Sequence, residues 1–156
     1  MKRSSGILMP ISSLPSPYGI GTMGKAAYDF ADFLYSSGQT YWQMLPLGPT
    51  SYGDSPYQSF STYAGNPYFI DLDMLIEDGL LTADEVNAYQ WGEDQRNVDY
   101  GTIYNSRFDV LAIAKERGWQ RDSEKVRKFM DDNSRWLPDY ALFMALKRHF
   151  DMRSWT

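Results

Sequence analysis

Cysteine is absent from the 156 residues of this chain. Its absence excludes disulfide bonds, cysteine-ligated zinc and a thiol nucleophile, and it fits a reducing cytoplasm. Basic residues are also in the minority, with 15 lysines and arginines against 20 aspartates and glutamates. Because nucleic-acid-binding domains usually carry a basic patch or a high isoelectric point, this balance argues against nucleic acid as a partner.

Long apolar runs and histidines are also scarce. No apolar stretch approaches the ~20 residues of a membrane span, and the run from Gly6 to Met9 is too short for a signal peptide. We therefore expect a cytoplasmic chain without a membrane partner. The only histidine, His149, lies late in a predicted helix. There it suits a cation near the helix carboxyl end better than a base or a metal ligand.

The first part of the chain has the pattern of a βαβ unit, which implies parallel strands and a right-handed crossover. Gly6–Met9 is predicted to be a strand that stops at Pro10, and Thr40–Leu45 a second strand that stops at Pro46. Between them, the apolar residues recur at helical spacing up to Gly38. The fold class indicated by this pattern is α/β.

The later part of the chain is predicted to be mostly helical. Thr82 and Glu85 have the spacing of a capping box, and Phe69–Leu72 is expected to be a short extended segment before it. Three further helices are predicted. The first has an apolar stripe at Tyr104, Phe108, Leu111 and Ala112 and is ended by Gly118. The second is capped by Ser123 and carries Val126, Phe129 and Met130, and the third has Pro138 in its first turn, with Ala141, Met144 and Phe150 facing inward.

Aromatic residues are plentiful, and five of them lie in the stretch SYGDSPYQSFSTYAGNPY, from Ser51 to Tyr68. The loop that contains it, Pro46–Tyr68, is long enough to indicate a function. This loop and the one after Met9 would both lie beyond the carboxyl ends of the strands, where α/β proteins bind ligands.

The side chains of this stretch suit a sugar. Tyrosine rings match the C–H face of a pyranose, and Asp, Asn, Gln and Ser match its hydroxyl groups. The candidates are Tyr52, Asp54, Ser55, Tyr57, Gln58 and Asn66. Three alternatives remain open from the residues alone: a surface loop packed by its own aromatics, Tyr57 or Tyr63 in the core, and Asp54 in an Asx-turn.

Two further patterns have structural explanations. Gly19-Ile-Gly21-Thr-Met-Gly24 spells G-x-G-x-x-G, but it follows a proline-rich loop rather than forming the tight turn of a dinucleotide site. Asp71 and Asp73 stand near a predicted helix start, where capping is the expected role. The residues therefore indicate neither a cofactor nor a metal site.

Two long segments resemble a known family. SGILMPISSLPSPYGIGTMG and YWQMLPLGPTSYGDSPYQSFSTYAGNPYFIDLD closely resemble the amino-terminal signature of the 4-α-glucanotransferases, also called amylomaltases or disproportionating enzymes (glycoside hydrolase family 77). The resemblance continues through GLLT, VDYGTIY and ALFMALKRHF, and so it covers nearly the whole chain in order.

The resemblance implies a (β/α)8 barrel with helical insertions, which transfers α-1,4-glucan segments between maltodextrins by a retaining mechanism. It implies no metal or organic cofactor. Ser55 and Tyr57 correspond to residues that line the donor subsites, and Tyr52 to a glucan contact at a further site. Asp54 and the Ser12–Gly21 loop are additional candidates for the wall of the substrate site.

The resemblance also implies that catalytic residues are missing from this chain. The family's catalytic carboxylates belong to later barrel strands, and no Asp or Glu here matches them. We expect residues 1–72 to form the first βα units and 73–156 a mostly helical insertion. The barrel would be incomplete, the chain would be inactive alone, and its partner would be the missing carboxyl-terminal part. The rival interpretations are a non-catalytic carbohydrate-binding or structural fragment and a different α/β-barrel glycosidase.

Overall fold

The structure is a computed structural model that describes residues 3–51, 53–94 and 96–154. The chain divides into two compact units, Met1–Arg117 and Gly118–Thr156. Its elements are β1 (Gly6–Leu8), α1 (Lys25–Ser36), β2 (Tyr41–Gln43), α2 (Leu72–Glu77), α3 (Ala83–Asn87), α4 (Tyr100–Arg121), α5 (Ser123–Asp132) and α6 (Leu137–His149), with short 3-10 helices at Ile11–Ser13 and Pro67–Phe69. In these described ranges, no helix is both long and apolar enough to cross a membrane.

β1 and β2 form a parallel pair, as predicted, with Gly6 opposite Tyr41 and Leu8 opposite Gln43. Both strands are shorter than the sequence pattern indicated. The pairing of the two strands stops at Gln43, and residues 44–47 have no ladder partner among the described residues.

α1 connects the two strands and covers one face of the pair. The ring of Phe30 meets the edge of the Trp42 ring, with centroids 4.9 Å apart. Gly38 ends the helix as predicted, with φ at +71°. The N–H of Gln39 then donates to the carbonyl of Leu34 at 2.9 Å, which completes a Schellman motif.

The extended segment predicted for Phe69–Leu72 is wrong in part, because side-chain caps impose turns on it. Asn66 accepts a hydrogen bond from the Tyr68 N–H at 3.0 Å and starts the 3-10 helix Pro67–Phe69. Asp71 then accepts from the Met74 N–H at 3.0 Å and caps α2. The capping role predicted for Asp71 is confirmed.

The capping box at the start of α3 is also confirmed. Thr82 accepts from the Glu85 N–H, and the Glu85 carboxylate accepts from the Thr82 N–H at 2.9 Å. Arg117 of α4 donates to the same carboxylate at 2.6 Å and to the Leu80 carbonyl at 3.0 Å. A single carboxylate therefore joins the start of α3 to α4.

The apolar stripe predicted for α4 lies only partly against the core, where Leu111 packs. Tyr104 and Phe108 are exposed, and the helix continues through Gly118 instead of ending there. Its buried residues are Ile103, Ser106, Arg107, Val110 and Ala114. The helix carries two stripes at helical spacing, and the core uses the one with the smaller side chains and an arginine.

The second unit contains α5 and α6. Asp122, rather than the predicted Ser123, precedes α5. Pro138 lies in the first turn of α6 and His149 in its last turn, as predicted. Phe150 is exposed, so its predicted inward position is wrong. The physical reason is that neither of these helices contains a buried residue, and their apolar faces meet no core within the unit.

The core of the first unit includes residues from loops as well as from helices. One cluster consists of Tyr18, Leu72, Leu81, Val86, Val110 and Ala114. A second consists of Ile20, Tyr68 and Ile103. The loop after β1 therefore contributes Tyr18 and Ile20 to these clusters, and the segment at the end of the long loop after β2 contributes Tyr68 and Leu72.

The glycine pattern in the first loop is explained by close packing. A Cβ at Gly21 would collide with the carbonyl oxygen of Ile11, and one at Gly24 would collide with the Asp71 carboxylate. Gly19 has φ at +75°, which other residues rarely adopt. The three glycines thus let the loop approach its neighbours, and no dinucleotide site is needed to explain them.

We expect Gly21→Ala to lower the free energy of unfolding by about 3 kcal/mol, because the collision involves backbone atoms that cannot rotate away. Gly38→Ala is the matched control, since the space around Gly38 is open and only its positive φ opposes a side chain, at about 1–2 kcal/mol. Urea unfolding followed by circular dichroism measures both losses. Equal losses would contradict the packing role of Gly21.

The capping box predicts a pH-dependent stability. Hydrogen bonds from Arg117 and from the Thr82 N–H lower the pKa of Glu85 from 4.5 to about 2. Because this pKa is lower in the folded chain, the ionised carboxylate stabilises the fold above about pH 4.5, and the contribution is lost as the pH falls towards 2. Glu85→Gln should therefore be less stable than the wild type at neutral pH, and the difference should vanish near pH 2. Urea midpoints across this range measure the difference, and a constant gap would refute its assignment to this carboxylate.

Candidate functional site

The two candidate loops leave the same edge of the parallel strand pair. The Met9 N–H donates to the Gln43 carbonyl at 3.0 Å. In return, the indole N–H of Trp42 donates to the Met9 carbonyl at 2.8 Å. The loops therefore start side by side at the carboxyl ends of the strands, where α/β proteins bind ligands.

The loop between Pro46 and Tyr68 is held together by hydrogen bonds between its own residues. The Asn66 N–H donates to the Leu47 carbonyl at 2.8 Å and closes the base of the loop. Higher up, Thr50 and Ser59 form an isolated antiparallel bridge. Asn66 is only 7% exposed, so it holds the base of the loop together and does not line an open surface. Closed ends and packed arms are features of an Ω-loop, and such loops are frequently functional.

Serine hydroxyls hold the backbone of this loop. Ser61 Oγ accepts from the Tyr63 N–H at 3.1 Å, and Ser59 Oγ donates to the Ser61 carbonyl at 2.8 Å. Ser55 Oγ accepts from the Tyr57 N–H at 3.3 Å. The abundance of hydroxyl groups in the sequence thus serves the shape of the loop as well as any ligand.

Three of the four predicted site residues lie within four consecutive positions, 54–57, where Asp54 ends one turn and Ser55 begins the next. Asp54 and Ser55 are half-buried, whereas the Tyr57 side chain is exposed, at 73%. Tyr63 is also exposed, so the core alternative for both tyrosines is wrong. The fourth predicted residue, Tyr52, lies outside the described residues.

Asp54 has an unusual backbone and a half-buried carboxylate. Its φ is +56°, a left-handed conformation that aspartate tolerates better than most residues, and its N–H donates to the Ser51 carbonyl at 3.0 Å. Burial raises the pKa of its carboxyl group. Burial and then the Asp54 charge raise the pKa of Tyr68 to about 12, and the same two causes raise the pKa of Tyr100. The Asp54 charge therefore contributes to the raised pKa values of the buried Tyr68 and the half-buried Tyr100.

The loop after β1 is anchored by polar contacts to the segment that follows the long loop. The Tyr18 hydroxyl donates to the Asp73 carboxylate, and burial together with this bond raises the pKa of Tyr18 to about 12. The Thr22 hydroxyl donates to the Asp71 carboxylate. The Met23 N–H donates to the Phe69 carbonyl at 2.8 Å. Tyr18 is thus an anchor of the Ser12–Gly21 loop.

Arg107 of α4 holds the same segment from the inside. Its Nη2 donates to the carbonyls of Tyr68 and Ile70, each at 2.6 Å. The guanidinium carbon lies 5.8 Å from the centroid of the Trp91 ring, within the range of a cation–π contact. Burial lowers the pKa of Arg107 to about 10 and the charge of Asp71 opposes this shift, so the side chain remains a cation at neutral pH.

The sequence prediction missed Arg107, although a signal for it exists. Position 107 lies four residues after Ile103, three before Val110 and seven before Ala114, which are all helical spacings. A charged residue inside such an apolar stripe is a candidate for a buried polar contact. The prediction chose the aromatic stripe next to it, and Arg107 was assigned no role.

The described part of the site can bind, but it does not offer a metal centre. No group of three or more histidine, aspartate or glutamate side chains among the described residues could hold a metal ion. What the longer loop presents is the exposed ring of Tyr57 together with the half-buried Ser55 and Asp54, within four consecutive positions. This combination can stack on an apolar face and exchange hydrogen bonds with hydroxyl groups.

Comparisons with known proteins agree on one family. A family model described as 4-alpha-glucanotransferase matches residues 9–156. The 4-alpha-glucanotransferase of Clostridium butyricum is 54% identical over 148 residues, which is 95% of this chain and 30% of that protein. The 4-alpha-glucanotransferase of Thermus thermophilus is 47% identical over 151 residues, 94% of this chain and 29% of that protein.

A solved structure has the same fold over this length. The amylomaltase from Streptococcus agalactiae in complex with acarbose matches with a TM-score of 0.93 and 43% identity, over 98% of this chain and 31% of that one. This chain spans about 30% of the length of the curated relatives that it matches. The match includes both loops of the candidate site, and the chain therefore belongs to glycoside hydrolase family 77, the 4-alpha-glucanotransferases.

Proposed function

We propose that this chain is the glucan-binding, amino-terminal part of a 4-α-glucanotransferase that transfers α-1,4-glucan segments between maltodextrins. The observation that carries the proposal is the segment Asp54–Tyr57, which presents an exposed ring in a loop that leaves the carboxyl end of one of two parallel strands, in a chain of this family. The acarbose complex of the Streptococcus agalactiae amylomaltase supports a ligand of this class.

In the proposed architecture, β1 and β2 are the first two strands of a (β/α)8 barrel. Residues 1–72 form the first βα units, and 73–156 form a mostly helical insertion. The parallel pairing supports this arrangement, as do the exposed side chains of Leu8 and Tyr41 on the strands, which further strands or helices would cover. The absence of cysteine supports a cytoplasmic location.

The proposed roles follow from side-chain chemistry. Tyr57 stacks on the C–H face of a donor-side glucose unit, and Ser55 exchanges hydrogen bonds with its hydroxyls. Asp54 accepts hydrogen bonds at the same wall, and Tyr52 contacts the glucan at a further site. The nucleophile and the acid/base of the retaining mechanism are two carboxylates outside these 156 residues. The reaction requires no metal or organic cofactor.

The proposal predicts disproportionation of maltotriose. The full-length protein that contains this chain should convert two maltotriose molecules into glucose and maltopentaose, and the 156-residue chain alone should release no glucose. Product separation by anion-exchange chromatography measures both. Transfer by the chain alone would contradict the absence of catalytic carboxylates. A full-length protein that binds maltotriose without forming products would support a non-catalytic carbohydrate-binding role instead.

Tyr57 provides a sharper test of the site. In the full-length protein, Tyr57→Ala should lower kcat/KM for maltotriose about tenfold, which corresponds to about 1.4 kcal/mol of lost contact with the sugar face. Tyr57→Phe keeps the ring and should retain most of the activity. Initial rates over a range of maltotriose concentrations measure the effect.

The matched control for Tyr57 is Tyr35 on α1, which is 87% exposed and lies outside both loops. Tyr35→Ala removes a similar exposed ring and should leave kcat/KM unchanged. If both alanine variants have the same kcat/KM, Tyr57 does not belong to the site.

A further inference from the structure

The burial of Arg107 is not explained by stability alone. Its side chain is 0% exposed, and only Nη2 has protein partners, because Nε and Nη1 find no acceptor among the described residues. Burying a cation is costly unless its hydrogen bonds are satisfied, and apolar residues of similar volume often stabilise a core equally well. An arginine that uses so few of its donors therefore points to a role in positioning the two carbonyls that it binds.

Those acceptors stand at the exit of the long loop. The carbonyls of Tyr68 and Ile70 directly follow the base that the Asn66 N–H closes onto Leu47. One nitrogen atom that binds both carbonyls fixes the path of the chain between them. The base of the loop after β2 is thereby attached to α4.

The same contacts reach the loop after β1. The Phe69 carbonyl, between the two that Arg107 binds, accepts from the Met23 N–H at 2.8 Å. Asp71, the next residue after Ile70, accepts from the Thr22 hydroxyl. The guanidinium is held in place by the Trp91 ring and by the nearby charge of Asp71. Both loops therefore depend on one backbone segment, 68–71.

We propose that Arg107 is a positioning residue, which sets the two glucan-binding loops in register with each other by fixing the Tyr68 and Ile70 carbonyls. It touches no substrate and acts through the backbone. The inference rests on the proposed function for its catalytic readout. Its structural readout, the protection of amide protons at the base of the loops, does not require any activity.

The kinetic test uses the full-length protein with maltotriose. Arg107→Met keeps a long side chain and removes the two hydrogen bonds to the Tyr68 and Ile70 carbonyls. KM should therefore rise about tenfold while kcat stays within about threefold. Arg107→Lys keeps a cation that can donate to carbonyls, and it should bring KM back to within about threefold of the wild type. Rescue by lysine separates the donated bonds from simple core packing.

The matched control is Val86→Ala on α3. Val86 is also 0% exposed, and its side chain makes no hydrogen bond to either carbonyl. The Val86 carbonyl, which accepts from the Trp91 indole N–H at 3.1 Å, is unchanged by the substitution. Val86→Ala should lower the melting temperature without raising KM. Hydrogen exchange then follows the N–H groups of Met23, Asn66 and Tyr68, which should exchange faster in Arg107→Met than in Val86→Ala.

Each outcome decides the inference. It is wrong if KM and the exchange of the three amides in Arg107→Met match those of Val86→Ala. It is also wrong if Arg107→Lys is insoluble, because Arg107 would then be needed for folding rather than for the placement of the loops. If the wild type shows no transfer, the proposed function fails, and the exchange rates alone still confirm or refute the positioning role.

Discussion

Two backbone carbonyls at the base of the loops, those of the buried Tyr68 and the partly exposed Ile70, set the constraint on which both loops of the first unit depend. They lie in and just after the 3-10 helix Pro67–Phe69, outside the strand pair, and a buried carbonyl such as that of Tyr68 costs free energy when it has no partner. Arg107 supplies the missing donors from α4, across 39 and 37 positions of sequence. The Pro46–Tyr68 loop can therefore extend away from the strand edge and still return to a fixed point.

The loops of the candidate site are continuous with the core. Tyr18 and Ile20 of the first loop and Tyr68 beside the second are buried, and each loop is tied by hydrogen bonds to the same short segment. Loops usually lie on the surface and vary in position. In this chain the exposed segment around Tyr57 belongs to a loop whose end, at Tyr68, is buried in the core.

Local patterns were predicted well, and the phase of long helices was not. The Schellman glycine Gly38 and the Thr82 capping box depend on a few adjacent residues, so the sequence contains all the information they need. On α4, two stripes have the same spacing, and only contacts with distant residues decide which one is buried. Arg107 was missed for this reason. Its partners are backbone carbonyls, which every residue carries, so their position in the sequence does not indicate an arginine partner. The roles of Asp54, Ser55 and Tyr57 as glucan contacts came from the family resemblance and remain predictions.

The serine-to-backbone bonds inside the long loop have a consequence for recognition. A flexible loop that closes on a ligand loses its conformational entropy at the moment of binding, and affinity falls accordingly. Here Ser55, Ser59 and Ser61 already restrain the chain before any ligand arrives. The conformational entropy of the loop is therefore lost during folding and not on binding. A loop that does not have to reorganise can bind a ligand and release it quickly.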